Sequence, residues 1–396
     1  MNPVDKISVY LAVGLISGIG ALIGSTMPMI LGSMAQTFKF GESQLGDIMA
    51  IFNIAFTAIA IASLFFIRRI NWKLASVLGF IFSVVFLLAL NLVDSFWAMA
   101  MLFGLLGLAI GGLYSLGMVI MGDSENPDRA FGIKLGLEAL PATALLVILP
   151  TFVIPSYGFT GLIYAMAAMC AIVGFCSGLL PERGVKHTAG SLSVGSLNEQ
   201  IPVSSQRSAH DIVLSICSLG AGIVFFSGIL ATWAFLEIIG SEKGLHTSKI
   251  GWALSVGMIS SAVGGFMAAW LGDRFGRNIP MLMILVVNLA SLMLILQSTV
   301  FMSFAFGIFL FTFCVNYGLA YFFGLSAEID VTGRLVVLCT TTLSVGGIVG
   351  PALGGRLMET SGFESVLTFS AICSCLAVFI YVLIVKTTHS AQRLSQ

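Results

Sequence analysis

Apolar residues along this chain gather into twelve long runs separated by short polar punctuation. The runs predict helices over 7–34, 43–67, 74–93, 96–121, 130–154, 159–180, 211–238, 247–271, 278–297, 299–325, 334–357 and 363–386. Apolar runs of about 20 to 26 residues suit helices that cross about 30 Å of hydrocarbon. Strands of a membrane barrel would instead alternate in polarity over segments of about ten residues. The expected fold is an all-α membrane protein with twelve transmembrane helices in two pseudo-symmetric six-helix bundles. Residues 1–180 make the first bundle, 181–210 a cytoplasmic linker, and 211–396 the second bundle. The linker carries Glu182, Arg183, Lys186, His187 and several serines without apolar periodicity, which predicts a flexible connection.

The two halves repeat at an offset of 205 residues. Ser43-Gln44-Leu45-Gly46 returns as Ser248-Lys249-Ile250-Gly251, Arg69 maps onto Arg274, and Arg129 maps onto Arg334. Tyr157-Gly158-Phe159 returns as Ser361-Gly362-Phe363, slipped by one residue. Duplicated halves around a central site are a common build of membrane transporters.

Composition agrees with the runs. Hydrophobic residues make up 58% of the chain and charged residues 9%, against the roughly 25% charge of a soluble domain. The few charges are ordered. With both termini inside, Lys6, Arg68, Arg69, Lys73, Arg129, Lys134, Arg183, Lys186, Arg207, Arg274, Arg277, Arg334, Lys386 and Arg393 lie on the cytoplasmic side. Only Lys39, Lys243, Lys249 and Arg356 lie opposite, so the positive-inside rule predicts cytoplasmic termini in a bacterial inner membrane. The first run follows Lys6 to about Met34 with no small-residue cleavage site, and reads as a retained helix. Net charge is zero, which gives nucleic acid no electrostatic purchase. The seven cysteines all lie in apolar runs, with no metal-ligand spacing.

Between predicted helices 8 and 9 stands Asp273-Arg274-Phe275-Gly276-Arg277. Together with six plus six helices and a central linker, this motif resembles the signature of the major facilitator superfamily over essentially the whole chain. The resemblance departs at Ala269, where the family has glycine, and at Asn278, where it has a basic residue. It implies secondary transport by alternating access, no enzymatic activity and no cofactor. Physically, an acid at such a turn suits a helix N-terminus. Asp273, Arg274, Gly276 and Arg277 then form a conformational latch with the start of helix 5 near Arg129, the arginines pairing with Asp128 or Glu125. The first-half loop keeps basic residues but has Arg68 where Asp273 maps, so the two halves are not expected to latch alike. Proton-coupled drug exporters of the family carry an arginine in helix 4, where this chain has Phe103. The glycine-rich Gly346–Gly355 segment around Pro351 in helix 11 is similar to the family's antiporter motif, and close helix packing explains it equally well.

Ionisable residues inside a bilayer cost roughly 2.5 to 3.5 kcal/mol on insertion scales, so each is a functional candidate. Glu138 in helix 5 suits a group that binds a proton on one side and releases it on the other. Lys134, four residues earlier, is the rival account, because the pair neutralise each other on one face. Glu237, near the end of helix 7, either gates or contacts substrate, or faces water at the interface. The helices that line the central cavity in the family contribute Tyr114, Trp233, Asn316 and Tyr317, and Asn53 on helix 2 joins them. The proton-coupling or substrate set is thus Glu138, Glu237, Asn316, Tyr317, Tyr114, Trp233 and Asn53. A buried amide such as Asn316 needs partners, and helix–helix bonding satisfies it as well as a substrate does.

No GxxxxGK[ST] loop occurs, so energy must come from a gradient. The expected protein is a monomeric, proton-coupled secondary transporter of a small organic molecule, neutral or weakly cationic. Efflux and uptake both stay open. The alternative is a receptor or sensor with the transporter fold and no net transport.

Overall fold

The computed structural model describes residues 3–124, 127–183, 209–271, 274–329 and 334–394. Its helices are α1 (Ile7–Phe38), α2 (Glu42–Phe66), α3 (Trp72–Leu90), α4 (Phe96–Gly122), α5 (Pro127–Ile148) and α6 (Ile154–Gly174). They continue as α7 (Ala209–Glu242), α8 (Thr247–Leu271), α9 (Asn278–Gln297), α10 (Phe301–Ile329), α11 (Arg334–Ser361) and α12 (Phe363–Leu394). Among the described residues, ten stretches are long and apolar enough to cross a membrane. The apolar face is turned outward as well as inward: Phe65, Trp97, Phe152, Phe175, Phe266 and Trp270 are all well exposed. Such a surface belongs against lipid.

Local chemistry sets several boundaries. Asn71 Oδ1 accepts Leu74 N–H at 3.0 Å and starts α3, and Ser95 Oγ accepts Ala98 N–H at 3.4 Å and starts α4. Between α5 and α6 the helix does not stop at 154. It runs through a π-turn at Leu149–Val153, which includes Pro150, and the chain reverses at Gly158. Gly158 has φ +56°, a left-handed conformation that glycine adopts without strain.

The sequence repeat is visible in the backbone. Lys39 closes α1 with φ +55°, and Gly244, 205 residues on, has φ +76° after α7. Gly158 has its counterpart in Gly362, at φ +75° before α12. Each pair of left-handed turns occupies corresponding places in the two halves.

The chain forms two compact units. The first gathers Met1–Ser191 with Phe235–Ser241 and His246–Ser255. In it α2 packs along α4, α1 along α5 and α4, and α3 along α4 and α6. The C-terminal end of α7 and the start of α8 therefore pack with α1–α6: Ser255 Oγ donates to Thr143 O at 3.2 Å, and a Cβ at Gly251 would stand 2.7 Å from Leu146 O. The second unit holds Leu192–Ala234, Glu242–Leu245 and Val256–Gln396, with α9 packed on α10 and α12, and α11 on α10 and α12. Most of the polar linker, 184–208, lies outside the described residues.

Candidate functional site

The first unit contains a charged centre built by α4 and α5. Lys134 is fully buried, and its Nζ pairs with Glu138 Oε2 at 2.5 Å, one turn along α5. The ammonium also lies 4.4 Å from the centroid of the Tyr114 ring on α4. A lysine held at zero exposure needs both the opposite charge and the ring face to offset its lost hydration.

Helix α1 closes this centre from a third side. A Cβ at Gly18 would stand 2.8 Å from the carbonyl oxygen of Glu138, and one at Gly20 would stand 2.8 Å from Tyr114 Cβ. Only hydrogen at these positions lets α1 approach so closely. Ser17 Oγ is buried here without a partner among the described residues. Phe56 of α2 meets the Tyr114 ring at 5.7 Å. Glu138 and Tyr114, two of the expected residues, are thus brought to the same centre, and the Lys134–Glu138 pair that their spacing on one helix face offered is formed, with Lys134 fully buried. Asn53 stands one turn from Phe56 on α2, where its amide donates to Met49 O at 2.8 Å.

Glu237 forms a second centre in the same unit, at the C-terminal end of α7. It is 1% exposed, so the interfacial water-facing alternative does not hold. Ser241 Oγ donates to its Oε1 at 3.1 Å, and Thr247 Oγ1 reaches the same oxygen at 3.5 Å. The other oxygen, Oε2, is buried with no partner among the described residues. The carboxylate lies directly against Gly32 of α1.

Tyr317, Asn316 and Trp233 belong to the second unit. Tyr317 is buried in an aromatic stack, with ring centroids 5.5 Å from Phe313 and 5.1 Å from Tyr321. Asn316 is half-buried on the same helix, its Cβ 3.6 Å from where a Cβ on Gly265 of α8 would be. Trp233 is 7% exposed.

The expected latch falls largely outside what is described. Asp273 lies outside the described residues, as does the Arg129 side chain. Arg274 is exposed and stacks on Trp270, with 5.3 Å from guanidinium to ring, Gly276 has φ +66°, and Arg277 is the N-cap residue of α9.

The equivalent first-half loop carries an ion pair that the sequence pattern did not single out. Arg68 donates to both oxygens of Asp123 at the end of α4, at 3.1 and 3.5 Å, and Asp123 is buried. Beside it Asp5 Oδ1 accepts from Tyr10 and Ser124, each at 2.5 Å, so the N-terminal turn is strapped to the end of α4. The acid missing from the loop is supplied by α4. The signal was present in the Arg68 position but its partner lay 55 residues away.

A lipid-facing helical surface, duplicated turns and charged groups sealed inside the bundle define an integral membrane protein of transporter build. The sequence profile of the Major Facilitator Superfamily matches residues 9–327 and again 214–396, and the chain belongs to that family. No curated protein matches it in sequence. Crystal structures of the nucleoside transporter NupG are similar over 96% of this chain, with TM-scores of 0.76 for a mutant (13% identity, 100% of that chain) and 0.73 (14% identity, 98% of that chain). An inward-facing, unoccupied bacterial homolog of the human lysosomal transporter Spinster is similar over 97% of this chain and 98% of its own, with TM-score 0.67 and 15% identity. At these identities the likeness is one of fold.

Proposed function

We propose that this family member is a proton-coupled secondary transporter of a small, neutral, hydrogen-bonding organic molecule. It works as two six-helix bundles, 1–180 and 211–396, joined by a cytoplasmic linker, in a bacterial inner membrane with both termini inside. The observation that carries this reading is the buried Lys134–Glu138 pair under Tyr114. The pair is internally neutral, which disfavours an anionic substrate that would need a free cation. A solute with carbonyl and hydroxyl groups matches what the centre offers: an ammonium, a carboxylate and a phenol. Nucleosides, the cargo of NupG, belong to that class, and they head the list of solutes to screen.

In this scheme Glu138 alternates between two states. Ionised, it holds Lys134 and ties the two charges on one face of α5. Protonated, it releases Lys134, whose donors then turn to the solute or to water. Close contacts of α1 with α5 and α4 make the state of the pair felt along α1. The proton thereby controls a helix contact rather than a distant loop.

The test is transport in proteoliposomes with an imposed pH gradient. Glu138→Gln is expected to retain solute exchange at equal pH while losing uphill accumulation. If Glu138→Gln accumulates solute under the gradient as wild type does, the coupling role is lost.

A further inference from the structure

The position of Glu237 carries an inference that rests on the transporter reading and extends it. At the repeat offset of 205 residues, Glu237 of α7 and Gly32 of α1 are equivalent positions. They are also in contact: the carboxylate fills the space where a side chain at Gly32 would begin, so a methyl group there would overlap Oε2. Equivalent residues of the two copies touch where α1 and α7 cross. One copy supplies an acid at that crossing and the other supplies room for it.

The acid is poorly served as an anion. It is 1% exposed, Oε1 has two hydroxyl neighbours, and Oε2 has none among the described residues. No ion pair reaches it among the described residues. The titratable groups on the elements packed around it are Lys39 after α1, Glu242 and Lys243 at the end of α7, and His246 and Lys249 at the start of α8. Lys39, Glu242, His246 and Lys249 are exposed, and Lys243 donates to Leu296 O at 2.7 Å and Ser298 O at 3.4 Å. A buried carboxylate with a bare oxygen and no cation is strongly disfavoured against its neutral acid. Glu138 differs, because Lys134 matches its charge.

We propose that Glu237 is a proton-binding site that fastens the outer ends of α1 and α7: the contact closes on the neutral acid and opens when the proton leaves to external water. A protonated Glu237 lets α7 rest on Gly32. An ionised Glu237 must regain water, which it does by parting from α1. The device reads external pH, and it acts before any solute reaches the Lys134–Glu138 centre.

The probe is the proton itself. Full-length protein in liposomes is titrated from about pH 5 to about pH 9, a span that covers the shifts buried carboxylates show. Infrared difference spectra follow the carbonyl band of protonated carboxyl groups, and amide hydrogen exchange, corrected for intrinsic rate, follows residues 28–36 and 233–241. Wild type is expected to show a protonated-carboxyl band that fades as pH rises, with exchange protection of both segments falling in step. In the Glu138→Gln background, which removes the other acid of the proposed scheme, the band is expected to persist, and adding Glu237→Gln is expected to abolish it and leave both segments protected at every pH. Gly32→Ala is expected to be unprotected at every pH, because its methyl displaces the carboxylate. A band that survives when both Glu138→Gln and Glu237→Gln are present, or wild-type protection indifferent to pH, overturns the proposal. Should Glu237→Gln not fold, unchanged protection in Gly32→Ala overturns it alone. Neither readout needs a solute, so the two readings fail separately. A titrating gate in a protein that moves nothing defeats only the transporter reading, and proton-driven transport with no titration at Glu237 defeats only this one.

Discussion

At the residue scale the proposed function rests on two acids with different surroundings, Glu237 buried and Glu138 partly buried. Glu138 has Lys134 at 2.5 Å, and Glu237 has only hydroxyls. This difference predicts how the protein responds to charge removal. Lys134→Met leaves Glu138 buried without its cation, and breaking a buried pair from one side costs roughly 3–5 kcal/mol. The double variant Lys134→Met with Glu138→Gln removes both charges and is expected to recover most of that loss, as thermal unfolding in detergent will show. A double variant no more stable than Lys134→Met would mean that the pair is not the unit described. Both acids were legible in the sequence, since a charge within an apolar run stands out. The Lys134 partner of Glu138 was legible too, from its spacing of four residues on one helix face, whereas the complete burial of Lys134 beneath the Tyr114 ring is revealed only by packing. The contact of Glu237 with Gly32 was legible in principle through the 205-residue offset, but a glycine gives no chemical signal of the group that rests on it.

At the element scale, contacts between helices carry the message from these residues. Glycines let α2 and α4 pack backbone to backbone: a Cβ at Gly111 would stand 2.9 Å from Phe56 O. Gly111→Leu is therefore expected to lower stability by about 1–3 kcal/mol, the usual range for overpacking. It should also shift Phe56 away from Tyr114, read as altered tyrosine and tryptophan near-ultraviolet circular dichroism. Unchanged stability would contradict the packing described. Asp123→Asn tests the tie between the α2–α3 loop and α4. Arg68 is half exposed, so the pair is worth no more than about 1 kcal/mol and its contribution should shrink at high salt. Helix positions were largely readable from apolar runs and caps such as Asn71 and Ser95. The α5–α6 junction was less so, because Pro150 permits a π-turn instead of ending the helix, and the reversal waits for Gly158. The Arg68–Asp123 tie escaped the pattern because its members lie on different elements and neither marks the other.

At the scale of the whole molecule, the repeat is the frame, and its mismatches are where the proposed mechanism is placed. The left-handed turns at Lys39 and Gly244, and at Gly158 and Gly362, show the two copies bending alike. At the 205-residue offset Glu138 corresponds to Leu343, Glu237 to Gly32, and Arg68 to Asp273, so at each of these places the two copies carry different chemistry. The family was legible from helix count, linker and the Asp273–Arg277 motif, and the family profile and the solved transporter folds agree with it. The substrate was not legible, since it depends on the shape and polarity of a site whose walls come from helices distant in the chain. The central claim is that a proton gradient drives a small neutral solute through this protein. The most direct measurement is uptake of radiolabelled nucleosides and other neutral solutes by proteoliposomes carrying a pH gradient. The account predicts accumulation above the external concentration that collapses on adding a protonophore, and accumulation untouched by the protonophore would contradict it.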